Sequence, residues 1–509
     1  MSYANFRRHK MFEVKNLSIR LNDRYLVENL SFVLSEGDKM ALIGEEGNGK
    51  STLLKVFLLQ APYVEVFGKV NCYENKVGYL EQSLNEKDAK KSVYDFLFEN
   101  DQIYYEKSHS FYRYLKSFHL NEIILEQTLE SLSGGESVKV RLLKLLLDDC
   151  DVLFLDEPTN DLDLCSLEWI ENFIKYTTKP ILYVSHDETL LSNTANRILH
   201  FEQVRKKTYC RYTLFNGDYA TYVAQRLKGI EIQTEQAKFE KRKLSQQQEK
   251  LNRVMQKVEY QQNTISRKNP HGAKVLKKKM HTLKVQERKL ETWEVTELPD
   301  VEESISFCFD SVFIPNTKHI LHITLSTLEV NSKVLSQNID LDVVGPVHLA
   351  IIGKNGMGKS TFLKIIYENL KHRTDLRVGY MPQNYEEEMS ANFSVLSFIF
   401  PKGNQEELTL ARKYLGNMHL TQEEMLTDFK KISNGTKVKV FLAKFVLNQC
   451  NVLILDEPTR NVSPLSNPVI RKMLSEFKGT IISVSHDRKY LQEVVDEIYE
   501  LTPEGLVKK

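Results

Sequence analysis

Three short motifs occur twice in this 509-residue chain, in the same order and at nearly the same spacing. They are a glycine loop ending in GKS, the sequence LDEPT and the sequence VSHD, at residues 44–51, 155–159 and 184–187 and again at residues 353–360, 455–459 and 484–487. Short apolar runs accompany the motifs and helix-like sequences separate them, which is typical of a parallel sheet covered by helices. The repetition therefore predicts two similar α/β domains.

Both glycine loops have the form GxxxxGKS and precede a helix-like segment, at Thr52–Leu59 and Thr361–Leu370. Glycines let the backbone wrap a phosphate, and the following helix N-terminus adds partial positive charge. The lysine neutralises the β and γ phosphates, and the serine offers its hydroxyl to Mg²⁺. A chance glycine-rich turn would not recur with the same downstream motifs. The predicted nucleotide-binding residues are Gly44, Glu45, Glu46, Gly47, Asn48, Gly49, Lys50, Ser51 and Thr52, and Gly353, Lys354, Asn355, Gly356, Met357, Gly358, Lys359, Ser360 and Thr361.

An acidic pair closes each LDEPT strand. Asp156 and Asp456 end these strands, and we expect them to hold Mg²⁺ through water. The glutamate that follows each aspartate can polarise the attacking water. A lone SHD sequence is more typical of a core histidine, but here a histidine recurs 30 residues after each aspartate, placed to contact the γ-phosphate. The predicted catalytic residues are Glu157, Glu457, His186 and His486.

The segment Leu132–Glu136 reads LSGGE, and with the loops, acidic pairs and histidines it resembles the signature of the ABC ATPase family. That resemblance implies ATP hydrolysis with Mg²⁺, and it makes Gln82 and Gln383 the Q-loop glutamines. It also implies that each signature completes the site of the facing domain. Site one then joins Lys50, Gln82, Asp156 and Glu157 to the second signature, and site two joins Lys359, Gln383, Asp456 and Glu457 to the first. The signature residues are Ser133, Gly134, Gly135 and Glu136, and Ser433, Asn434, Gly435 and Thr436.

The two halves depart unequally from the family pattern. Asn434 and Thr436 replace a glycine and the glutamate of the signature, and Thr459–Ser466 lacks the aspartate that the first half keeps in TNDLD. These changes predict two unequal ATP sites. Leu21 and Val330 stand where the family places a tyrosine against adenine, and nearby Tyr25 is a candidate substitute.

More narrowly, the chain resembles the ABC-F family, which has twin ABC domains, a helical linker and no membrane domain. That resemblance implies a monomer with intramolecular pairing of its ATPase domains, bound to the bacterial ribosome near the large-subunit rRNA and the P-site tRNA. We expect it to bind in the ATP state, to protect the ribosome from antibiotics acting at the peptidyl-transferase region, and to be released on hydrolysis. A housekeeping translation factor is the alternative within the family. The ATPase subunit of a drug exporter and a DNA-repair ATPase are alternatives of other classes.

The linker carries most of the charge asymmetry. Residues 223–293 contain 18 Lys or Arg and 7 Glu, a net charge of +11, although the whole chain has only +1. Such a segment indicates a polyanionic partner, whereas the alternative is a solvated charged coiled coil. Helix formers fill residues 219–265, a turn signal lies at Asn269–Gly272, and a second helix is predicted at Ala273–Trp293. Helices of about 40 residues would reach roughly 60 Å. The predicted RNA-binding residues of the tip are Arg267, Lys268, Lys274, Lys277, Lys278 and Lys279.

The predicted domains are a first ABC ATPase domain at 1–222, the basic helical linker at 223–298 and a second ABC ATPase domain at 299–509. The fold class is α/β, with two ABC-type P-loop ATPase domains joined by a long antiparallel two-helix linker. The six cysteines form no CxxC pair, and no apolar run reaches 18 residues. We therefore expect reduced thiols, a cytoplasmic location and no membrane span.

Overall fold

The computed structural model describes residues 10–21, 24–45, 47–98, 100–160, 162–204, 209–264, 270–293, 313–330, 333–385, 393–418, 420–460 and 462–509. It divides into two compact units, one of residues Met1–Ala220 with Glu302–Lys509 and the other of Thr221–Val301. The larger unit holds both P-loop domains, called here the first cassette (residues 10–220) and the second cassette (residues 313–509). The smaller unit is helical.

The first cassette is built on a six-stranded sheet with strand order β5-β6-β7-β3-β8-β9, parallel except for β9, and a three-stranded antiparallel sheet with order β2-β1-β4. Its strands are β1 (Lys10–Leu21), β2 (Arg24–Ser35), β3 (Lys39–Gly44), β4 (Glu65–Asn71), β5 (Val77–Leu80), β6 (Val152–Asp156), β7 (Ile181–Val184), β8 (Arg197–Val204) and β9 (Tyr209–Asn216). Its helices are α1 (Lys50–Phe57), α2 (Glu86–Ala89), α3 (Val93–Leu97), α4 (Asp101–Ser117), α5 (Gly134–Leu147), α6 (Leu164–Tyr176) and α7 (Glu188–Thr194).

The central strands are apolar because helices or the second sheet cover both of their faces. All residues of β3, β6 and β7 are buried. Strands buried on both faces read as continuous apolar runs. This arrangement brings the carboxyl ends of β3, β6 and β7 to one edge, where the three repeated motifs begin.

The linker contains α8 (Tyr219–Thr264) and α9 (Pro270–Glu291). Leu251, Val258 and Leu283 form its buried core, so the two helices pack together. At about 1.5 Å per residue, the 46 residues of α8 span roughly 69 Å, longer than the predicted 60 Å.

Two predicted boundaries of the linker are wrong. The second helix runs from Pro270 to Glu291 and not from Ala273 to Trp293, so the expected turn does not extend to Gly272. Proline is accepted at the first helical position because its missing N–H has no partner there in any case. The predicted tip residues Arg267 and Lys268 lie outside the described residues.

The second cassette repeats the first. Its six-stranded sheet has the order β13-β14-β15-β12-β16-β17, position for position that of the first cassette, and β10 and β11 pair in a second sheet. Its strands are β10 (His319–Val330), β11 (Lys333–Val344), β12 (His348–Ile352), β13 (Val378–Met381), β14 (Val452–Asp456), β15 (Thr480–Val484), β16 (Glu497–Thr502) and β17 (Gly505–Lys508). Its helices are α10 (Lys359–Leu370), α11 (Val395–Ile399), α12 (Gln405–Asn417), α13 (Gln422–Leu426), α14 (Asn434–Leu447), α15 (Asn467–Ser475) and α16 (Arg488–Glu493).

The predicted fold class is confirmed, because both halves carry the same P-loop sheet and a two-helix segment joins them. The helices after the phosphate loops start two residues earlier than predicted, at Lys50 and Lys359, and α1 ends at Phe57. Among the described helices, none combines the length and apolar character needed to cross a bilayer.

Candidate nucleotide sites

Each phosphate loop is closed around its own lysine. Lys50 Nζ donates to the main-chain oxygens of Gly44 and Glu45, both at 2.9 Å. Lys359 Nζ makes the same two bonds in its own loop, at 2.8 and 2.9 Å. Both lysines are buried, at 8% exposure each. The loop therefore curls around an ammonium group placed to meet the phosphates of a nucleotide.

The glycines of the first loop have separate reasons to be glycine. A Cβ on Gly44 would lie 2.5 Å from the main-chain oxygen of Phe201, so no side chain fits there. Gly49 caps α1 with a φ of 83°, in the left-handed region that favours glycine. Of the remaining predicted loop residues, Glu46 lies outside the described part of the chain.

The predicted catalytic glutamates have an unusual backbone. Glu157 and Glu457 have φ values of 49° and 53°, a region that non-glycine residues seldom adopt. Each glutamate N–H donates to the end of the neighbouring strand, to the Val184 oxygen at 3.0 Å and the Val484 oxygen at 2.9 Å. Strain of this kind persists where surrounding structure imposes it, and it is common at functional sites. Its repetition in both cassettes is a feature that the motif alone does not reveal.

In site one the glutamate and histidine are in direct contact. His186 Nε2 lies 2.9 Å from Glu157 Oε1. Burial opposes ionisation of Glu157, but the charge and hydrogen bonds of His186, with the charge of Lys50, hold the pKa of its carboxyl below the ordinary value. His186 Nδ1 lies 2.8 Å from the main-chain oxygen of Val462, in the second cassette. The pair is thus anchored across the interface between the cassettes.

The same pair is looser in site two. His486 Nε2 lies 3.8 Å from Glu457 Oε1, and Nδ1 of His486 is buried with no hydrogen-bond partner among the described residues. Burial, together with the neighbouring Asp456, raises the pKa of Glu457 to about 8. Burial, together with the charge of Lys359, lowers the pKa of His486 to about 4. The two predicted sites therefore differ in their Glu–His geometry as well as in their signatures.

The signature helices also differ at their N-termini. Ser133 caps α5, and Glu136 returns a carboxylate to the Ser133 N–H at 3.0 Å, which completes a capping box. Ser433 caps α14 in the same way. Thr436 has no carboxylate to accept from the Ser433 N–H, and its Oγ1 lies 2.9 Å from Ser433 Oγ instead. The amide oxygen of Asn434 accepts a hydrogen bond from Lys437 Nζ at 3.2 Å. The second signature helix therefore presents a different charge and shape at its end.

A cavity of about 510 Å³ marks site two and includes residues of both cassettes. The first cassette contributes Gly134 of its signature as well as Asn160 and His186. Of the residues predicted for this site, the cavity is lined by Asn355, Gly356, Gly358, Lys359, Ser360, Thr361, Gln383, Asp456, Glu457 and His486. The structure thus places Gly134 of the first signature in the same cavity as the second phosphate loop.

Site one is a smaller cavity of about 300 Å³. Its predicted residues are Gly47, Gly49, Lys50, Ser51, Thr52, Gln82, Glu157 and His186. Within the part of the chain that the structure describes, no residue of the second signature lines this cavity, so the expected partner of site one is not brought to it.

Apolar side chains lie where the adenine ring of the nucleotide is expected. Leu21 and Leu26 line site one, and Val330 and Leu335 line site two. Tyr25 is 40% exposed and is not among the described lining residues of either cavity, so the structure does not support its role as a substitute.

Sequence reasoning missed two polar residues in the loop after LDEPT. Asn160 lines both cavities, and Arg460, at the equivalent position of the second cassette, lines site two. The signal was available, because both directly follow the repeated LDEPT motif. The role of the Val462 oxygen in binding His186 had no such signal, since a main-chain group is the same at every position.

The residues proposed for magnesium suit that ion. Asp156 Oδ1 is buried without a hydrogen-bond partner among the described residues, whereas Oδ2 accepts from Tyr79 at 3.1 Å. Ser360 Oγ lies 3.5 Å from Gln383 Oε1. Carboxylate, hydroxyl and amide oxygens are the hard ligands that Mg²⁺ prefers, and the ion would neutralise phosphate charge there. The residues that would hold it are Ser51, Gln82 and Asp156 in site one and Ser360, Gln383 and Asp456 in site two.

Twin P-loop cassettes that share residues at a nucleotide cavity define a tandem ABC-type ATPase, an enzyme that hydrolyses ATP. A family model described as ABC transporter matches residues 27–160 and 336–460, about half of the chain. The chain belongs to that family.

Relatives match the chain over nearly its whole length. The ATP-binding protein Uup of Buchnera aphidicola is 27% identical over 519 residues, covering 98% of this chain and 81% of the relative. The ribosome protection protein VmlR of Bacillus subtilis is 27% identical over 524 residues, covering 97% and 87%. These relatives support the ABC-F type that the motifs indicated.

A solved structure supports the fold. A chain in the complex of the archaeal ribosomal stalk protein aP1 with the archaeal ribosome recycling factor aABCE1 superposes with a TM-score of 0.58 at 18% identity. The match covers 97% of this chain and 89% of the other.

Proposed function

We propose that this chain is an ATP-dependent ribosome-binding protein that binds in the ATP state and is released after hydrolysis. The observation that carries the proposal is the charge of the linker, +11 over residues 223–293, in a chain whose remainder is acidic. Protein surfaces that meet rRNA and tRNA neutralise phosphates with Lys and Arg, and this segment supplies them in quantity.

The described linker presents this charge to solvent. All of its described basic side chains except Arg226 are exposed. Four of the predicted tip residues lie on α9 and are exposed: Lys274, Lys277, Lys278 and Lys279. The ion pair between Arg253 and Glu249, at 3.8 Å on the surface, is of a kind that contributes little to stability. A helix pair held by a narrow apolar seam with lysines outside suits a phosphate backbone better than a protein core.

Similarity to VmlR supports the ribosome as the polyanion, because that relative is named a ribosome protection protein. We further propose that this chain protects the ribosome from antibiotics acting at the peptidyl-transferase region. Uup is named only for ATP binding, so it supports the ATPase and does not distinguish protection from a general role in translation.

Sedimentation tests ribosome binding. The variant E157Q/E457Q removes both predicted water-activating carboxylates and should accumulate the ATP-bound state. We expect this variant to pellet with ribosomes in ATP and to stay in the supernatant in ADP. Pelleting that does not depend on the nucleotide, or none with ATP, would contradict the proposal.

Reversing charges on the linker tests whether electrostatic attraction contributes to ribosome binding. In the E157Q/E457Q background we expect K277E/K278E/K279E to lose ribosome binding, most strongly at raised salt. The matched control is K402E/R412E/K413E, which reverses three exposed charges on the second cassette. Equal loss in both variants would show that net charge matters and the linker position does not.

Antibiotic protection has its own test. Bacteria that express the wild-type chain should grow at higher concentrations of drugs acting at the peptidyl-transferase region, but not of drugs acting on the small subunit. Ribosome binding without any gain in drug tolerance would favour the translation factor over the protection protein.

A further inference from the structure

Ion pairs connect the two cassettes, and the acidic and basic partners lie on opposite sides of the contact. Arg471 of α15 lies 2.5 Å from Glu188 of α7, and Arg488 of α16 lies 2.8 Å from Glu171 of α6. Glu188 also accepts from Lys489 Nζ at 2.9 Å. In each of these pairs the acid belongs to the first cassette and the base to the second.

The paired positions are equivalent in the duplicated fold. An offset of 300 residues, which also separates the LDEPT and VSHD motifs, relates Glu171 to Arg471 and Glu188 to Arg488. The pairs 171–488 and 188–471 are therefore the same contact made twice. What changes from one cassette to the other is the sign of the charge.

The hydrogen-bond partners of positions 171 and 471 differ in the same way as the charges at these positions. Asn193 Nδ2 donates to Glu171 Oε1 at 2.6 Å, and Arg471 Nε donates to Glu493 Oε2 at 2.7 Å. Residues 193 and 493 are again 300 apart. The acid has an amide donor beside it, and the arginine at the equivalent position has a carboxylate acceptor. Each side is therefore matched to its own charge.

Because these charges are buried, their signs determine which two cassettes can pair. Arg471 is 2% exposed and Glu188 is 6% exposed. A buried ion is tolerated when it is paired and hydrogen-bonded, and it is costly when its partner is removed or has the same sign. Two first cassettes in this geometry would set Glu171 against Glu188, and two second cassettes would set Arg471 against Arg488.

We propose that these residues form a charge lock, made of positions 171, 188, 189 and 193 with 471, 488, 489 and 493, that restricts each cassette to pairing with the unlike cassette. The lock rejects the like cassette of a second copy of the chain by burying like charges. Because site two takes Gly134 from the first cassette, the lock also decides which surfaces form an ATP site.

Exchanging the residues between the two sides tests the lock. The first-side exchange is E171R/E188R/T189K/N193E, and the second-side exchange is R471E/R488E/K489T/E493N. Either alone gives both faces the same sign, and we expect the ATPase rate to fall about tenfold or more. The full eight-residue exchange again sets acids against bases with the two sides reversed, and it should return the rate to within about threefold of wild type. The control E168R/K472E reverses two exposed charges on the same helices and should leave the rate unchanged.

Mixing provides a second readout. One half-exchanged chain has two acidic faces and the other has two basic faces, so an equimolar mixture should recover ATPase activity and sediment as an assembly of two chains. Neither half exchange should do so alone. Wild-type rates in either half exchange, or no recovery in the full exchange, would overturn the proposal. If the half exchanges fail to fold, the full exchange decides by itself.

Discussion

His186 Nδ1 lies 2.8 Å from the main-chain oxygen of Val462, although the two residues are 276 positions apart. The same imidazole contacts Glu157 through Nε2 at 2.9 Å. A movement of the second cassette against the first would therefore displace the histidine that holds the predicted catalytic carboxylate of site one. In site two the corresponding Glu457–His486 distance is 3.8 Å.

This difference predicts unequal effects of removing the two histidines. In the E457Q background, where only site one should turn over, we expect H186A to lower the ATPase rate about 100-fold, the scale of general-base catalysis. In the E157Q background H486A should cost several-fold less, because its contact with Glu457 is longer. Steady-state phosphate release measures both rates. Equal losses would show that the static distances do not report on catalysis.

Arg460 offers a positive charge to site two. Its side chain lines the cavity with Lys359 and Glu457, whereas the first cassette has Asn160 at the equivalent position. A fixed cation near transferring phosphate stabilises the transition state. In the E157Q background we expect R460N to lower kcat about tenfold with little change in KM, and R460K to recover part of the loss. An unchanged kcat, or a change confined to KM, would remove Arg460 from the phosphate chemistry.

Exchanging the signatures should move activity between the sites. N434G/T436E restores the capping box of α14 and should stabilise that helix end by about 1 kcal/mol. It should also raise turnover in the E457Q background, because the family resemblance assigns the second signature to site one. The reverse change, G134N/E136T, should lower turnover in the E157Q background, because Gly134 lines site two. No response of site one to N434G/T436E would indicate that the second signature does not serve it.

Glu13 predicts a specific dependence of stability on pH. Hydrogen bonds from Lys15, Tyr73 and Lys10, in that order of effect, lower the pKa of its carboxyl to about 2 from 4.5. A folded-state pKa below the unfolded value gives stability that is present above pH 4.5 and is lost as the pH falls from 4.5 towards 2. Wild type should therefore exceed E13Q in urea midpoint at pH 7, and the difference should shrink at pH 3.5. A constant difference would show that charge at Glu13 is not involved.

Much of the fold was readable because the chemistry of a phosphate loop dictates its residues. Few other residue types would fit the positive φ at Gly49, the close backbone approach at Gly44 or the buried ammonium of Lys50. The motif therefore predicts both the conformation of the loop and its role. Helix boundaries were less readable. The linker helix begins at Pro270 because proline suits a first turn, although the same residue also marks turns.

The motifs did not reveal which charged side chains pair between the cassettes. Glu171, Glu188, Arg471 and Arg488 look like ordinary surface charges along the chain, and their significance lies in which of them meet. The Val462 oxygen is a still clearer case, because every residue has one and only the packing of two domains selects it.

By itself, the sequence determined that this protein has two ATP-binding cassettes of one family and a basic helical linker, because phosphate binding, parallel strands and a net charge of +11 all depend on local residue types and spacing. Only the tertiary structure decided that the Val462 oxygen of the second cassette binds His186 of the first, that no described residue of the second signature lines site one, and that the acid–base pairs cross between unlike cassettes. These are relations between surfaces hundreds of residues apart, and they arise from the distances, burial and charge that packing alone creates.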